Sequence, residues 1–469
     1  MSVINSNVGS LIAQNALSQS NSSLQTSLQR LGTGLQINTG ADNPAGLIAV
    51  QNFNQTNTGL TTAINNAGQA SNVVGTAEGG LSEVSNLLTQ LQGLVGQSAN
   101  SGALTTSQVA ANQLQVDSIL NTINRIANGT TFQGTHLLNG NLNYVTSSLK
   151  TSALQNLQVS SALLPDSGNL VVNVEVTAVA TKATISSTVT QVTGSAVTLE
   201  VSGNLGSVDL TFASSTSAST IASAVNAVTN QTGVTASGNS AGLSLTSSNY
   251  GSNQFVSVKA VNGQYAFSVA SNTGTDAKVT VNGSSASVQG LHVNYASSGL
   301  NLSLDLASGL NTAATTESFY ITGGGANFSF GAQVNDSSKA SIGIGDVSTA
   351  SLGDYADGYL NTLGTGGINS LSSKNLATAQ KIINSAITQV STQRGSIGAF
   401  QDFTVGSTIS ALNVAYENST AAESAIQDTN FASETSNLTR SQILQQSATT
   451  VLAQANSQPK EALTLLQNA

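Results

Sequence analysis

Large apolar residues recur along both ends of the chain at the three- and four-residue spacing of a helix, and along its middle at the two-residue spacing of a strand. Near the start, Ile4, Val8 and Leu11 follow helical spacing, and Leu17, Leu24, Leu28, Leu31 and Leu35 share one heptad seam. A stricter run joins Val74, Ala77, Leu81, Val84, Leu88, Leu91 and Val95, followed by Val109, Val116, Ile119, Ile123 and Ile126. The C-terminal part repeats the pattern in Leu376, Ala379, Ile383, Ala386 and Val390, then in Val405, Ile409, Leu412 and Tyr416. It ends on Leu444, Ala448, Val451 and Ala455, with Leu452 beside them. These stripes predict long amphipathic helices, rods of ~50 Å for about 35 residues, that pair to cover their apolar faces.

From about residue 168 to 330 the pattern alternates, as in Val172, Val174 and Val176, in Val197, Leu199 and Val201, in Val208, Leu210 and Phe212, and in Leu302, Leu304 and Leu306. Asn262-Gly263 and Asn282-Gly283 are hairpin signals, because both residues of such a pair tolerate positive φ. One helical patch interrupts, with Thr220 before Ile221, Val225 and Val228. The fold class expected is α+β: a long antiparallel helical coiled-coil rod formed by both chain ends, carrying a mostly β insertion.

Composition narrows what such a rod does. Charged residues make up 7% of the chain, and residues 1–140 hold only Arg30 and Arg125 against Asp42, Glu78, Glu83 and Asp117. An exposed coiled coil normally carries Glu and Lys on its outer positions. Amides and hydroxyls there suit a helix whose outer face meets other protein, where an unpaired charge would cost several kcal/mol. The net charge of −9 offers no basic patch for nucleic acid. With no Cys there is neither a disulfide framework nor a thiolate metal site. No apolar run reaches membrane-spanning length, and the first residues lack a basic stretch followed by an apolar one, so export would use a route other than an ordinary signal peptide.

Two stretches carry a family resemblance. Residues 28–49, LQRLGTGLQINTGADNPAGLIA, resemble the N-terminal signature of bacterial flagellins, and residues 438–466, LTRSQILQQSATTVLAQANSQPKEALTLL, resemble the C-terminal one. In physical terms, Gly32 and Gly34 are expected to stop the first rod, Asn38 and Asp42 to make local turn bonds, and Gly46 to permit close packing. Phe132 through Gly140 is similar to the family's turn into a β-hairpin, with Phe328 to Ala332 and Ile342 to Ile344 as the returning segment.

The resemblance implies a subunit that polymerises with its own copies into the extracellular flagellar filament. It further implies an inner helical domain of residues 1–42 and 424–469, a surrounding helical and hairpin layer of 43–180 and 325–423, and a variable β-rich outer region of 181–324. The polymerisation and helix-packing residues would be Leu17, Leu24, Leu28, Leu31, Leu35, Leu81, Val84, Leu88, Leu91, Ile119, Ile123, Ile126, Leu444, Val451 and Leu452. Its other partners would be a flagellar export chaperone and the cap and hook-junction proteins. Absence of Cys and a count of three Pro suit passage as an unfolded chain, since no bridge and few slow isomerisations obstruct refolding.

No cofactor, nucleic-acid or membrane partner is expected, and no enzymatic role. His136 and His292 have no ligand-spaced companions, and no H-E-x-x-H is present. Gly323-Gly324-Gly325 lacks the Lys-Ser/Thr of a phosphate loop and reads as a flexible linker. The innate-receptor surface of many flagellins aligns with Gln90, Leu94 and Gln115, where only the Leu is kept and the charge-assisted bonds are lost. The rival readings are a hook-filament junction protein, which shares such ends, and a surface adhesin with a helical stalk. The middle lacks Trp, the usual platform for sugars, which disfavours the adhesin.

Overall fold

A computed structural model describes residues 6–467 except 101–103, 166–167, 298, 313–314, 336–337, 356 and 374. Ile4 of the first stripe lies outside the described residues. The chain opens with α1 (Val8–Thr33), α2 (Pro44–Ser98) and α3 (Thr106–Gly129). Thr105 starts α3 with a reciprocal capping box to Gln108. Strands follow: the hairpin β1 (Thr131–Phe132) and β2 (Thr135–His136), then β3 (Tyr144–Ser147), β4 (Leu154–Ala162) and β5 (Leu170–Ala178). Gln133 and Gly134, both at positive φ, make the hairpin turn.

A second β region comprises β6 (Thr184–Ser187), β7 (Val197–Gly203), β8 (Gly206–Phe212), α4 (Ala218–Ala227), α5 (Thr229–Thr232), β9 (Val234–Asn239), β10 (Gly242–Ser247), β11 (Phe255–Asn262) and β12 (Ser271–Thr273). The chain then returns through β13 (Lys278–Val281), β14 (Ser284–Ser285), β15 (Ser287–Gln289), β16 (His292–Ala296), β17 (Leu300–Leu306), β18 (Thr315–Gly324), β19 (Ala326–Ser329) and β20 (Lys339–Ile342). It closes with α6 (Leu376–Ala399), α7 (Ser407–Gln427) and α8 (Phe431–Gln467).

Between α6 and α7 residues Phe400–Gly406 take π-helical pairing. The covered stripe explains the insertion. It runs through Val390 and Ile397 and resumes at Val405, eight residues on where two helical turns supply about seven, so one residue must be absorbed.

The chain divides into two compact units. One holds the described residues up to 65, residues 331–333 and those from 409; the other holds 66–330 and 334–408. The second unit has three apolar cores. The helical core joins Leu81, Val84, Leu88 and Leu91 of α2 and Ile123 of α3 to Ala379, Ile383, Ala386 and Val390 of α6. The proximal β core joins Leu154, Val172, Val174 and Val176 to Val279, Val281, Leu304 and Phe319. The distal β core joins Ile185, Val197, Leu199 and Val201 to Ile221, Val225 and Leu245.

In the proximal module two antiparallel sheets run in the orders β14-β13-β5-β18-β3 and β15-β16-β17-β4. In the distal module the orders are β12-β11-β7-β8 and β6-β10-β9.

Three expectations change. The helical layer was expected to reach 180 and the outer region to start at 181, but pairing with the returning outer strands begins at Tyr144: β3 pairs with β18, and β4 and β5 hydrogen-bond to β17, β13 and β18. Their apolar residues share one core with Val279, Val281, Leu304 and Phe319, so residues 144–180 and 277–321 form one module. Asn282-Gly283 does turn β13 into β14, with φ of 51° and 82°. Asn262-Gly263 makes no such hairpin: β11 runs through Asn262, and its partner β12 starts only at Ser271. Gly263, at φ 75°, is required instead because a Cβ there would lie 2.6 Å from the Ala196 carbonyl oxygen. Gly323-Gly324-Gly325 is not a linker: its first two residues end β18, and a Cβ on Gly325 would meet the Tyr144 ring at 2.7 Å.

Candidate assembly surface

In the first unit α1 and α8 run antiparallel. Asn7 Nδ2 donates to the Ala455 carbonyl (2.7 Å), Ser10 Oγ to Asn456 Oδ1 (2.8 Å) and Gln445 Nε2 to Asn21 Oδ1 (2.8 Å). The covered stripe of α1 is Ser10, Ala13, Leu17, Ser20, Leu24, Ser27 and Leu31, and that of α8 is Glu434, Leu438, Ser441, Gln445, Ala448, Leu452 and Ala455. Both keep the three/four spacing of a coiled coil, yet the fully buried members are small or polar: Ser10, Ala13, Ser27, Glu434, Ser441 and Ala448. Small side chains let the two backbones approach closely.

That seam overlaps only in part with the one marked by large residues. Leu17, Leu24, Leu31, Leu35 and Leu452 are half-buried, but Leu28 (53% exposed), Leu444 (50%) and Val451 (56%) face away from the pair. Val8, Leu11 and Ile12 of α1 and Phe431 and Ile443 of α8 are exposed as well. Reading by bulk finds the half-buried leucines of the seam together with outward-facing ones, and passes over Ser10, Ser27 and Ser441.

The turn after α1 is fixed by local chemistry. Gly34, at φ 77°, caps the helix and donates to the Arg30 carbonyl, whereas Gly32 lies inside α1 and does not end it. Asp42 Oδ2 accepts from the Thr39 amide (2.7 Å), the Thr39 hydroxyl (2.9 Å) and the Asn38 amide (3.1 Å). These bonds, led by the Thr39 amide, hold the Asp42 carboxyl below its usual range. Asn43, which the sequence reading passed over, caps α2 by accepting from the Gly46 amide (2.9 Å), with Pro44 in the first helical position. A Cβ on Gly46 would sit 2.5 Å from Ile37 Cδ1, so glycine is needed for that approach. The turn also meets the break between α7 and α8, where Gln36 donates to the Gln427 carbonyl (2.6 Å) and Thr429 to that of Gly34 (2.9 Å).

In the second unit Leu81, Val84, Leu88, Leu91 and Ile123 are buried, and Ile119 and Ile126 are partly buried against them. Polar side chains then position the loops. Buried Gln113 donates to the Leu363 carbonyl (2.9 Å) and accepts from the Leu371 amide (2.8 Å), while Asp117 accepts from the Thr365 hydroxyl (2.6 Å) and amide (2.8 Å). Arg394 pairs with Glu78 at 2.8 Å. Gln90 and Gln115 are exposed, but Leu94 is buried in the helical core, so the three do not form one exposed surface. Among the described residues no group of three or more His, Asp and Glu could hold a metal, and no helix is long and apolar enough to cross a membrane.

Comparison with known proteins agrees with this anatomy. Residues 4–143 match the bacterial flagellin N-terminal helical region and residues 380–466 the C-terminal helical region. Residues 188–249, in the distal module, match the flagellin hook IN motif, which the sequence reading did not identify. The chain is 28% identical over 463 residues to flagellin B of Vibrio cholerae and to polar flagellin B/D of Vibrio parahaemolyticus, covering 99% of each chain. It is 27% identical over 510 residues to the B-type flagellin of Pseudomonas aeruginosa, again over 99% of both. With both helical ends matched in order and relatives aligned over 99% of both chains, the chain is a bacterial flagellin, a structural protein that polymerises into the flagellar filament.

Proposed function

We propose that residues 1–42 and 424–469 form the innermost layer of that filament, residues 43–143 and 325–423 the layer around it, and the β-rich region of 144–324 its exterior. The observation that supports this most directly is the row of large apolar side chains on the outward faces of α1 and α8: Leu11, Ile12 and Leu28, and Ile443, Leu444 and Val451. Each is worth about 1.5–3 kcal/mol when fully buried, and only other copies of the chain recur at every position of a polymer. Among the residues marked from the sequence, Leu28, Leu444 and Val451 then act between subunits. Leu17, Leu24, Leu31 and Leu452 act within the α1/α8 pair, and Leu81, Val84, Leu88, Leu91, Ile119, Ile123 and Ile126 hold the surrounding layer together.

The chain would travel unfolded through the flagellar export channel, kept from premature assembly by an export chaperone that covers the same C-terminal apolar face. It would fold beneath the cap and stack first on the hook-junction proteins. Sedimentation and electron microscopy of the purified chain across a concentration series test the assembly reading. Long hollow filaments from the parent chain, lost on Val451→Asp, are expected; filaments from Val451→Asp at the parent's critical concentration would overturn the inner-layer assignment.

A further inference from the structure

We infer that Asp276 is a latch holding the distal β module at one orientation on the proximal module. The chain enters the distal module near residue 181 and leaves it near 275, and the two crossings meet in a single antiparallel bridge between Thr181 and Thr275, whose hydroxyls lie 2.8 Å apart. Two strands crossing at one neck make a hinge unless a further contact stops the swing. The turn at Tyr250 to Ser252 in the distal module supplies that contact. Asp276 Oδ1 accepts from the amide of Ser252 (2.9 Å) and from the amide of Gly290 (2.7 Å), and its Oδ2 accepts from the Ser252 hydroxyl (2.6 Å). Ser252 belongs to the distal module and Gly290 to the proximal one, so one carboxylate binds both.

The backbone around the latch is shaped for it. A Cβ on Gly290 would stand 2.6 Å from the Tyr250 carbonyl oxygen, one on Gly251 2.7 Å from Gly290 Cα, and one on Gly274 2.5 Å from the carbonyl oxygens of Gly251 and Thr181. The three glycines let the two modules touch backbone to backbone. Lys182 braces the neck, donating to the Ser248 carbonyl (2.7 Å) with its ammonium 5.0 Å from the centre of the Tyr250 ring. In the cleft beside the seam Asp305 is engaged by His292 (2.6 Å) and Asn156 (2.7 Å), so its carboxylate is occupied within the proximal module.

The test uses the full chain, whose lack of Cys allows spin labels at two introduced cysteines, Ser240→Cys in the distal module and Ser285→Cys in the proximal one. Both positions are exposed. Pulsed electron spin measurements of the label separation should give one narrow distribution for the otherwise parent chain, broadened about twofold by Asp276→Ala and by Gly290→Ala as the seam opens. Far-UV circular dichroism checks that each variant keeps its strands. If one does not, Ser252→Ala, which removes a single bond of the latch, takes its place. A distribution as narrow in the folded variants as in the parent, at the same mean separation, overturns the latch.

Discussion

Arg30 of α1 stands 3.8 Å from Glu434 of α8, among the described residues the one acidic residue buried in the seam of the terminal helix pair. The carboxylate also lies in the first turn of α8, where the helix dipole favours it. Arg30→Ala would leave it buried without a counter-charge. Because the guanidinium is partly exposed, we expect the lower end of the usual penalty, about 1–2 kcal/mol, or roughly a tenfold rise in the critical concentration for assembly. Pelleting assays over a dilution series measure it. Glu434→Gln, which keeps the volume, should cost less.

The inward and outward faces of α8 should respond differently to the same charge. A disulfide between Ser10→Cys and Asn456→Cys reports the intramolecular pair, since the native Ser10 and Asn456 side chains lie 2.8 Å apart and the chain has no other thiol. Val451→Asp, on an exposed position, should leave cross-linking unchanged, within about 0.5 kcal/mol, yet abolish filaments. Ala448→Asp should lower both, by roughly 3 kcal/mol for the pair. Loss of cross-linking in Val451→Asp would place that residue in the seam.

Gln113 is a fully used buried amide. Gln113→Leu would strand the Leu363 carbonyl and the Leu371 amide, at about 1–3 kcal/mol each. Urea unfolding followed by circular dichroism should show the midpoint fall with little change in slope.

Where the β region is cut should decide whether the rest survives. Removing 181–324 takes away β13, β17 and β18 and bares the apolar faces of β4 and β5, so that variant should aggregate. Removing 182–274 and joining the ends at the Thr181–Thr275 bridge leaves the proximal core whole and should give a soluble chain that still forms filaments. Light scattering and negative-stain microscopy separate the two outcomes.

Donation from His292 Nδ1 to the Asp305 carboxylate, opposed by burial, pushes the His292 imidazole above its ordinary 6.5. The folded chain therefore binds that proton more tightly than the unfolded one. The resulting stabilisation is complete below 6.5 and fades as pH rises through the elevated value. With two histidines in the chain, a proton NMR titration resolves His292 directly, and its midpoint should fall on Asp305→Asn.

Much of this architecture was legible because large side chains marked it. The stripe through Val74, Leu81, Leu88 and Val95 and the alternation through Val172 to Val176 both end up buried as their spacing implies. The seam between α1 and α8 was legible only in part: Leu17, Leu24, Leu31, Ala448 and Leu452 lie in it, but Ser10, Ala13, Ser27 and Ser441 carry no apolar signal against a background rich in Ser and Ala. Module boundaries were missed for another reason. Whether β4 and β5 belong with the helices before them or the strands after them depends on pairings more than a hundred residues away, which periodicity does not encode.

The hydroxyl and methyl seam of the terminal helices has a thermodynamic consequence. Closing it covers Leu17, Leu24, Leu31, Leu438 and Leu452 only in part, so a lone chain gains little by holding its ends together, while the broad side chains left outside gain theirs from neighbours. Order at the ends is then governed by mass action, and the melting temperature of α1 and α8 should climb with subunit concentration while that of the second unit stays put.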